Sequence, residues 1–142
     1  MPRVPKPSER KARAWMVLAR QDLDLAGAGM LLKSSVPWAL IAFHAQQAAE
    51  KSLKAYLTLV GVDFPYTHDI QRLLDFCRDS TDWMEVLKHA PELNRYAVAA
   101  RYPDSRPVVT KAKALEAIKL AEEVHSVVTA AFLRQGVKLG KS

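Results

Sequence analysis

Apolar residues recur along this chain at three- and four-residue spacing, the repeat of one helix face, and nowhere alternate for long as a half-buried strand would. Trp15, Leu18, Ala19, Ala26, Gly29 and Met30 fall on one face of a first helix ending near Ser34, with Asp22 on the same stripe. "SSVPW" breaks that helix, and Pro37 suits the first turn of the next, where its missing N–H would have had no partner. The second helix is predicted to run to about Val60 and stop at Gly61. Its main stripe is Trp38, Ile41, Ala42, Ala45, Ala49, Ser52, Leu53, Tyr56 and Val60, in which small Ala45, Ala49 and Ser52 admit a close neighbour. Gln46 and Glu50 edge that stripe, Ala39, Phe43 and Leu57 form a weaker strip beyond them, and His44 and Lys51 point away. A helix covered on two sides in so small a bundle points to a second chain.

After the loop "GVDFPYTHD", Thr67 and Asp69 supply a helix start, and Ile70, Leu73, Leu74 and Cys77 a short amphipathic set. Asp82 and Glu85 stand in capping-box spacing before another short helix. "PELNRYAVAARYP" makes one more, closed by Pro103, and "DSRPVV" is a loop. Thr110 opens the last helix, with the stripe Leu115, Ile118, Ala121, His125, Val128 and Phe132. The fold class is therefore all-α, an antiparallel up-and-down bundle of about five helices resembling a four-helix bundle. Residues 1–12, rich in proline and basic side chains, read as a flexible arm, 13–134 as the single bundle and 135–142 as a flexible tail.

A chain of 142 residues is long enough for one core and too short for two. No apolar run approaches the roughly 20 residues of a membrane span, and the N-terminal segment lacks the apolar stretch of a signal peptide. The single cysteine has no internal partner, so the expected setting is reducing and cytoplasmic. A net charge of +6 leaves a nucleic-acid partner open, although Arg3, Lys6, Arg10, Lys11, Arg13, Arg134, Lys138 and Lys141 place much of it at the ends.

The four histidines are scattered, no two of them at the i, i+4 spacing of a helical metal site, and no glycine-rich phosphate loop occurs, so no metal or cofactor is expected. His125 alone on an apolar stripe reads as a core or interface histidine. Asp22 calls for a cationic partner from a neighbouring helix, because a carboxylate on a core stripe must offset its desolvation. His68, beside Asp69, reads first as part of a helix start. "NRYAVAARYPD" is the densest cluster: Arg95 and Arg101 carry forked donors suited to phosphate, and Tyr96 and Tyr102 carry stacking faces and hydroxyls. It suits a binding site and a polar lid on the bundle equally.

"ARQDLDLA", "FHAQQAAEKSLKAYL", "HDIQRLL" and "RYPD", in that order from about Trp15 to Phe132, resemble HEPN domains, small helical proteins of bacteria and archaea. The resemblance implies a helical bundle that dimerises, commonly beside a minimal nucleotidyltransferase partner, sometimes in a toxin-antitoxin-like module. It also implies one of three activities: binding of nucleotide or RNA, metal-independent RNA cleavage, or a purely structural partnership. The glutamine-rich helix would then contribute Phe43, Gln46, Glu50 and Leu57 to the dimer surface, where Gln46 and Glu50 left unsatisfied would each cost about 1 to 3 kcal/mol. The nuclease members carry an arginine followed after four to six residues by histidine, and sometimes by tyrosine two further on. Here Arg95 and Tyr102 align with the arginine and tyrosine while Ala100 stands at the histidine, leaving His68 as the candidate imidazole.

Overall fold

A computed structural model describes residues 4–77, 82–97 and 108–139, and every regular element among them is helical. In chain order these are α1 (Pro7–Gly29), α2 (Trp38–Val60), α3 (Ile70–Cys77), α4 (Trp83–Val86), a 3-10 helix (Ala90–Tyr96) and α5 (Lys111–Arg134). The expected helical bundle is the observed fold. α1 and α2 are antiparallel, since Trp15 lies by Lys54, Asp22 by Lys51 and Gly29 by Ile41. α5 is antiparallel to α1 as well, because Arg20 reaches Glu122 while Ala26, further along α1, clusters with Ala114. α2 and α5 therefore point the same way, and α3 with the 3-10 helix forms the return between them.

α2 is the central element, packed against α1, α5, α3 and the 3-10 helix. Its alanines Ala42, Ala45, Ala48, Ala49 and Ala55 are buried, and short side chains on several faces let several neighbours approach at once. The covering of a second side is thus supplied by the chain itself. Gln46, Glu50 and Leu57, expected at a dimer surface, are buried within the single chain, and only Phe43 of that set stays half-exposed. Against Leu53 of α2 the core gathers Phe132, Leu73, Leu74, Val124 and Val128, with Tyr56 packed on Trp83 at 4.4 Å between ring centroids.

The ends of the helices depart from the sequence expectation in ways their chemistry explains. α1 begins at Pro7, so residues 7–12 are helical instead of an arm: proline is suited to the first turn, and Glu9 and Ala12 are buried. The same helix ends at Gly29, short of Ser34, where glycines lower helix propensity and the amides of Met30, Leu31 and Leu32 tighten onto carbonyls three residues back. Thr110 caps α5 by accepting from the Lys113 amide at 3.2 Å, whereas Asp82 makes no side-chain cap. α5 does not dissolve into a tail at once: the Val137 amide bonds back to the Phe132 carbonyl, Gly136 to Leu133, and Val137 is buried.

Two faces are also rotated from the predicted stripes. α1 buries Ala12, Met16, Ala19, Leu23 and Ala26 and leaves Leu18 outside; α5 buries Ala114, Ala117, Ala121, Val124 and Val128 and leaves Leu115 outside. Each buried face intersperses alanines with larger side chains, Met16 and Leu23 on α1 and Leu120 and Phe132 on α5, so that neighbouring helices interdigitate.

Gly61 and Gly136 each sit in the left-handed region, at φ 76° and 75°, and close the same helix-ending motif in α2 and α5. An added Cβ would meet nothing at either position, so the penalty is conformational. Gly61→Ala and Gly136→Ala are each expected to lower stability by about 1 to 2 kcal/mol. Urea unfolding at equal slope would check this; an unchanged midpoint would refute it.

Candidate functional site

The polar residues of α2 gather into two adjoining clusters. In the first, His44 and Lys51 do not point away as their helical positions suggested. Both turn to Asp22 on α1, His44 Nδ1 lying 2.9 Å from Oδ1 and Lys51 Nζ donating to Oδ2 at 2.7 Å. Asp22 thus has the cationic partner its burial demands.

The second cluster centres on Glu50, whose side chain is 3% exposed. Oε2 accepts from Lys54 Nζ at 3.0 Å; Oε1 lies 2.8 Å from His68 Nδ1 and accepts from Gln46 Nε2 at 3.3 Å. Gln46 also donates to the His68 carbonyl at 3.1 Å and accepts from Gln47 at 2.7 Å, so this wholly buried amide is satisfied. The ammonium of Lys54, itself buried, sits 5.6 Å from the Trp15 ring and 5.7 Å from the Tyr66 ring. Capping of α3 falls to Asp69, which accepts from the Gln71 amide, and His68 is spared for Glu50.

His68 Nδ1 is turned inward to Glu50, and Nε2 is turned outward to the Tyr66 hydroxyl at 3.1 Å. Tyr66 is 85% exposed, so that edge of the imidazole lies at the protein surface. A carboxylate-held imidazole with an outward Nε2 is able to accept or donate a proton.

Arg95 lies elsewhere. It is exposed and lines a groove at the start of α5 with Glu92, Tyr96, Lys113, Glu116 and Leu120; His68 is not part of that lining. The two regions are nonetheless tied, because Asn94 accepts from the Ile70 amide at 2.8 Å and donates to Asp69 at 2.9 Å. Tyr96 is buried for most of its surface and contributes its remaining edge to the lining of that groove. Arg101, Tyr102 and Ala100 lie outside the described residues. Among the described residues no group of three or more metal-ligating side chains converges.

The chain's likeness to known proteins runs through both clusters. The HEPN domain family profile matches residues 12–131. The chain belongs to the HEPN family. A solved structure, that of TT1696 from Thermus thermophilus, is similar at a TM-score of 0.67 and 32% identity, over 83% of this chain and 95% of its own. No curated protein matches. Within this HEPN domain the Glu50–Lys54 pair was readable from sequence as an i, i+4 pair in its favourable order. The joining of His68 to Glu50, and of His44 and Lys51 to Asp22, had no local signal beyond the presence of unpaired polar groups on apolar stripes.

His125 is the remaining sequence candidate of this HEPN domain. It is half-buried, and burial holds its pKa below the ordinary 6.5, aided by the nearby Arg20 guanidinium and opposed by Glu122 and Asp24. The unfolded chain therefore binds this proton more readily than the folded one, so stability is lost as pH falls through and below about 6.5. His125→Gln should flatten the stability profile in that window, and urea midpoints measured from pH 7.5 to pH 5 that keep their slope would refute it.

Removing one partner of the buried pair should be costly. Glu50→Leu is expected to destabilise by about 3 to 5 kcal/mol by stranding Lys54, and Glu50→Leu with Lys54→Leu by less. A double-mutant cycle from denaturant unfolding measures the coupling; additivity of the two single effects would contradict it.

Proposed function

We propose that this HEPN protein binds an anionic ligand, RNA or a nucleotide, at the Arg95 groove without cleaving it, acting as a homodimer with a minimal nucleotidyltransferase as its partner, within a toxin-antitoxin-like module. The observation that supports this most is the state of Arg95: its guanidinium is exposed and makes no ion pair among the described residues, whereas Arg20, Lys51 and Lys54 are each engaged by carboxylates. Lys113 adds a second cation beside it, at the first turn of α5, while Glu92 and Glu116 line the same groove. A planar guanidinium at a groove edge suits phosphate, which it holds through paired N–H donors. Arg101 and Tyr102 extend the same basic and aromatic run in sequence and are proposed to join the contact.

Cleavage is the second reading, favoured by the outward Nε2 of His68 held by Glu50. It is weakened by Ala100 at the motif's histidine and by the separation of His68 from the groove that Arg95 lines. Loss of an imidazole acid or base lowers rates about 100- to 10,000-fold. A purely structural role beside the nucleotidyltransferase is the third reading.

One gel separates these readings: total tRNA incubated with the protein in chelator, at low and moderate salt. Salt-dependent retention of intact tRNA is expected, with Arg95→Ala weakening it about tenfold, the equivalent of ~1.4 kcal/mol, and lowering the salt dependence by about one phosphate contact. Retention unchanged by Arg95→Ala would remove the groove from the binding site. tRNA fragments that disappear with His68→Ala would establish the nuclease instead.

A further inference from the structure

Tyr66, His68 and Glu50 form a line of three hydrogen-bonding groups that runs from the surface into the bundle. The Tyr66 hydroxyl lies 3.1 Å from His68 Nε2, and His68 Nδ1 lies 2.8 Å from Glu50 Oε1. Tyr66 is exposed, His68 half-buried and Glu50 buried. A hydroxyl within reach of an imidazole that a third group orients is the arrangement that makes a weak oxygen nucleophile reactive.

Several contacts hold this line in place. The Tyr66 and His68 rings meet edge to face at 5.1 Å between centroids, and the Lys54 ammonium lies 5.7 Å from the Tyr66 ring. Gln46 donates to the His68 carbonyl, Thr67 accepts from the Asp69 amide, and Asn94 donates to Asp69. Both residues therefore sit on backbone that the bundle fixes, as a preorganised site requires.

We propose that Tyr66 is a nucleophile that accepts an acyl group from an uncharged ester, with His68, held by Glu50, as its general base. The hydroxyl oxygen attacks the ester carbonyl carbon while its proton passes to His68 Nε2. The ester C–O bond then breaks, and the leaving alcohol takes that proton from Nε2. The products are an O-acyl tyrosine and an alcohol, and the imidazole ends as it began. The step uses a neutral ring with its acceptor at Nε2, the tautomer that a carboxylate facing Nδ1 favours.

The surroundings select the ester. Lys54 is matched by Glu50. In a groove of about 480 Å³ between the start of α1 and the end of α2, Lys11 is accompanied by Asp63, so the described lining offers a polyanion no surplus of positive charge. Trp15 and Phe64 line that groove, and Trp15 shares the Lys54 ammonium with Tyr66, which gives an apolar or aromatic ester a surface to lie on. Neither the Arg95 groove nor its ligand enters the step.

Incubation of the full chain with p-nitrophenyl acetate, followed by intact mass and peptide mapping, tests it. Tyr66 should be acetylated at least about 100-fold faster than the same tyrosine in the urea-unfolded chain, whose hydroxyl has no base beside it. That comparison needs no variant. Tyr66→Phe, a change at the surface, should abolish the label. His68→Gln, with helicity by circular dichroism unchanged, should slow acetylation of Tyr66 about 100- to 10,000-fold. The rate for the unaltered chain should also fall in heavy water, because a proton moves in the step. Acetylation confined to amines, a Tyr66 rate equal to that of the unfolded chain, or a rate untouched by His68→Gln each overturns the proposal. Transfer from p-nitrophenyl phosphate in preference to the acetate would assign the hydroxyl to phosphoryl groups and overturn the acyl reading.

Discussion

A carboxylate as deeply buried as Glu50 must be surrounded by donors, and the donors come from parts of the chain that have to be in place together. Lys54 and Gln46 lie one turn to either side of it on α2, while His68 arrives from the segment before α3. Gln46 then holds the His68 carbonyl, and Lys54 spans Trp15 of α1 and Tyr66 of the same loop. Stranding the charge by withdrawing a partner costs several kcal/mol, so the loop cannot leave without unsettling the centre of the bundle. The connection from α2 to α3 is therefore part of the core in energetic terms. Through Asn94, which satisfies the Ile70 amide, the same constraint reaches the 3-10 helix that carries Arg95.

The ion pairs also sort the cations by availability. Arg20, Lys51 and Lys54 are spent within the fold, each against a carboxylate. Arg95 makes no such pair among the described residues and lies exposed at the groove beside the start of α5. Outward-facing leucines and an outward-facing arginine thus occupy different parts of the surface, one near the start of α2 and the other near the start of α5.

Much of this was legible in the sequence, and the gaps have physical causes. Helical period, the glycine stop at Gly61, the threonine start at Thr110 and the Glu50–Lys54 pair are local features, so the chain displays them without its partners. The buried faces of α1 and α5 lie a small rotation away from the stripes that periodicity marks, because periodicity counts apolar positions while the packing of helices also depends on side-chain volume. Asp22 was recognisable as needing a cation, but that the cation is Lys51, with His44 beside it, depended on the register of α1 against α2. His68 beside Asp69 reads as part of a helix start that Asp69 in fact caps, since neither residue alone reveals which one faces a carboxylate 18 positions earlier.

By itself the sequence determined an all-helical HEPN bundle, its principal helices and the kinds of polar group that had to be satisfied inside it. Those follow from period, capping and desolvation, each of which acts over a few residues. Only the tertiary structure decided that α2 is enclosed by its own chain, that Glu50 binds His68, that Arg95 faces a separate groove, and which leucines remain outside. Each of these depends on how closely one helix lies against another and in what register, and that is set by side-chain volumes acting together across the whole core.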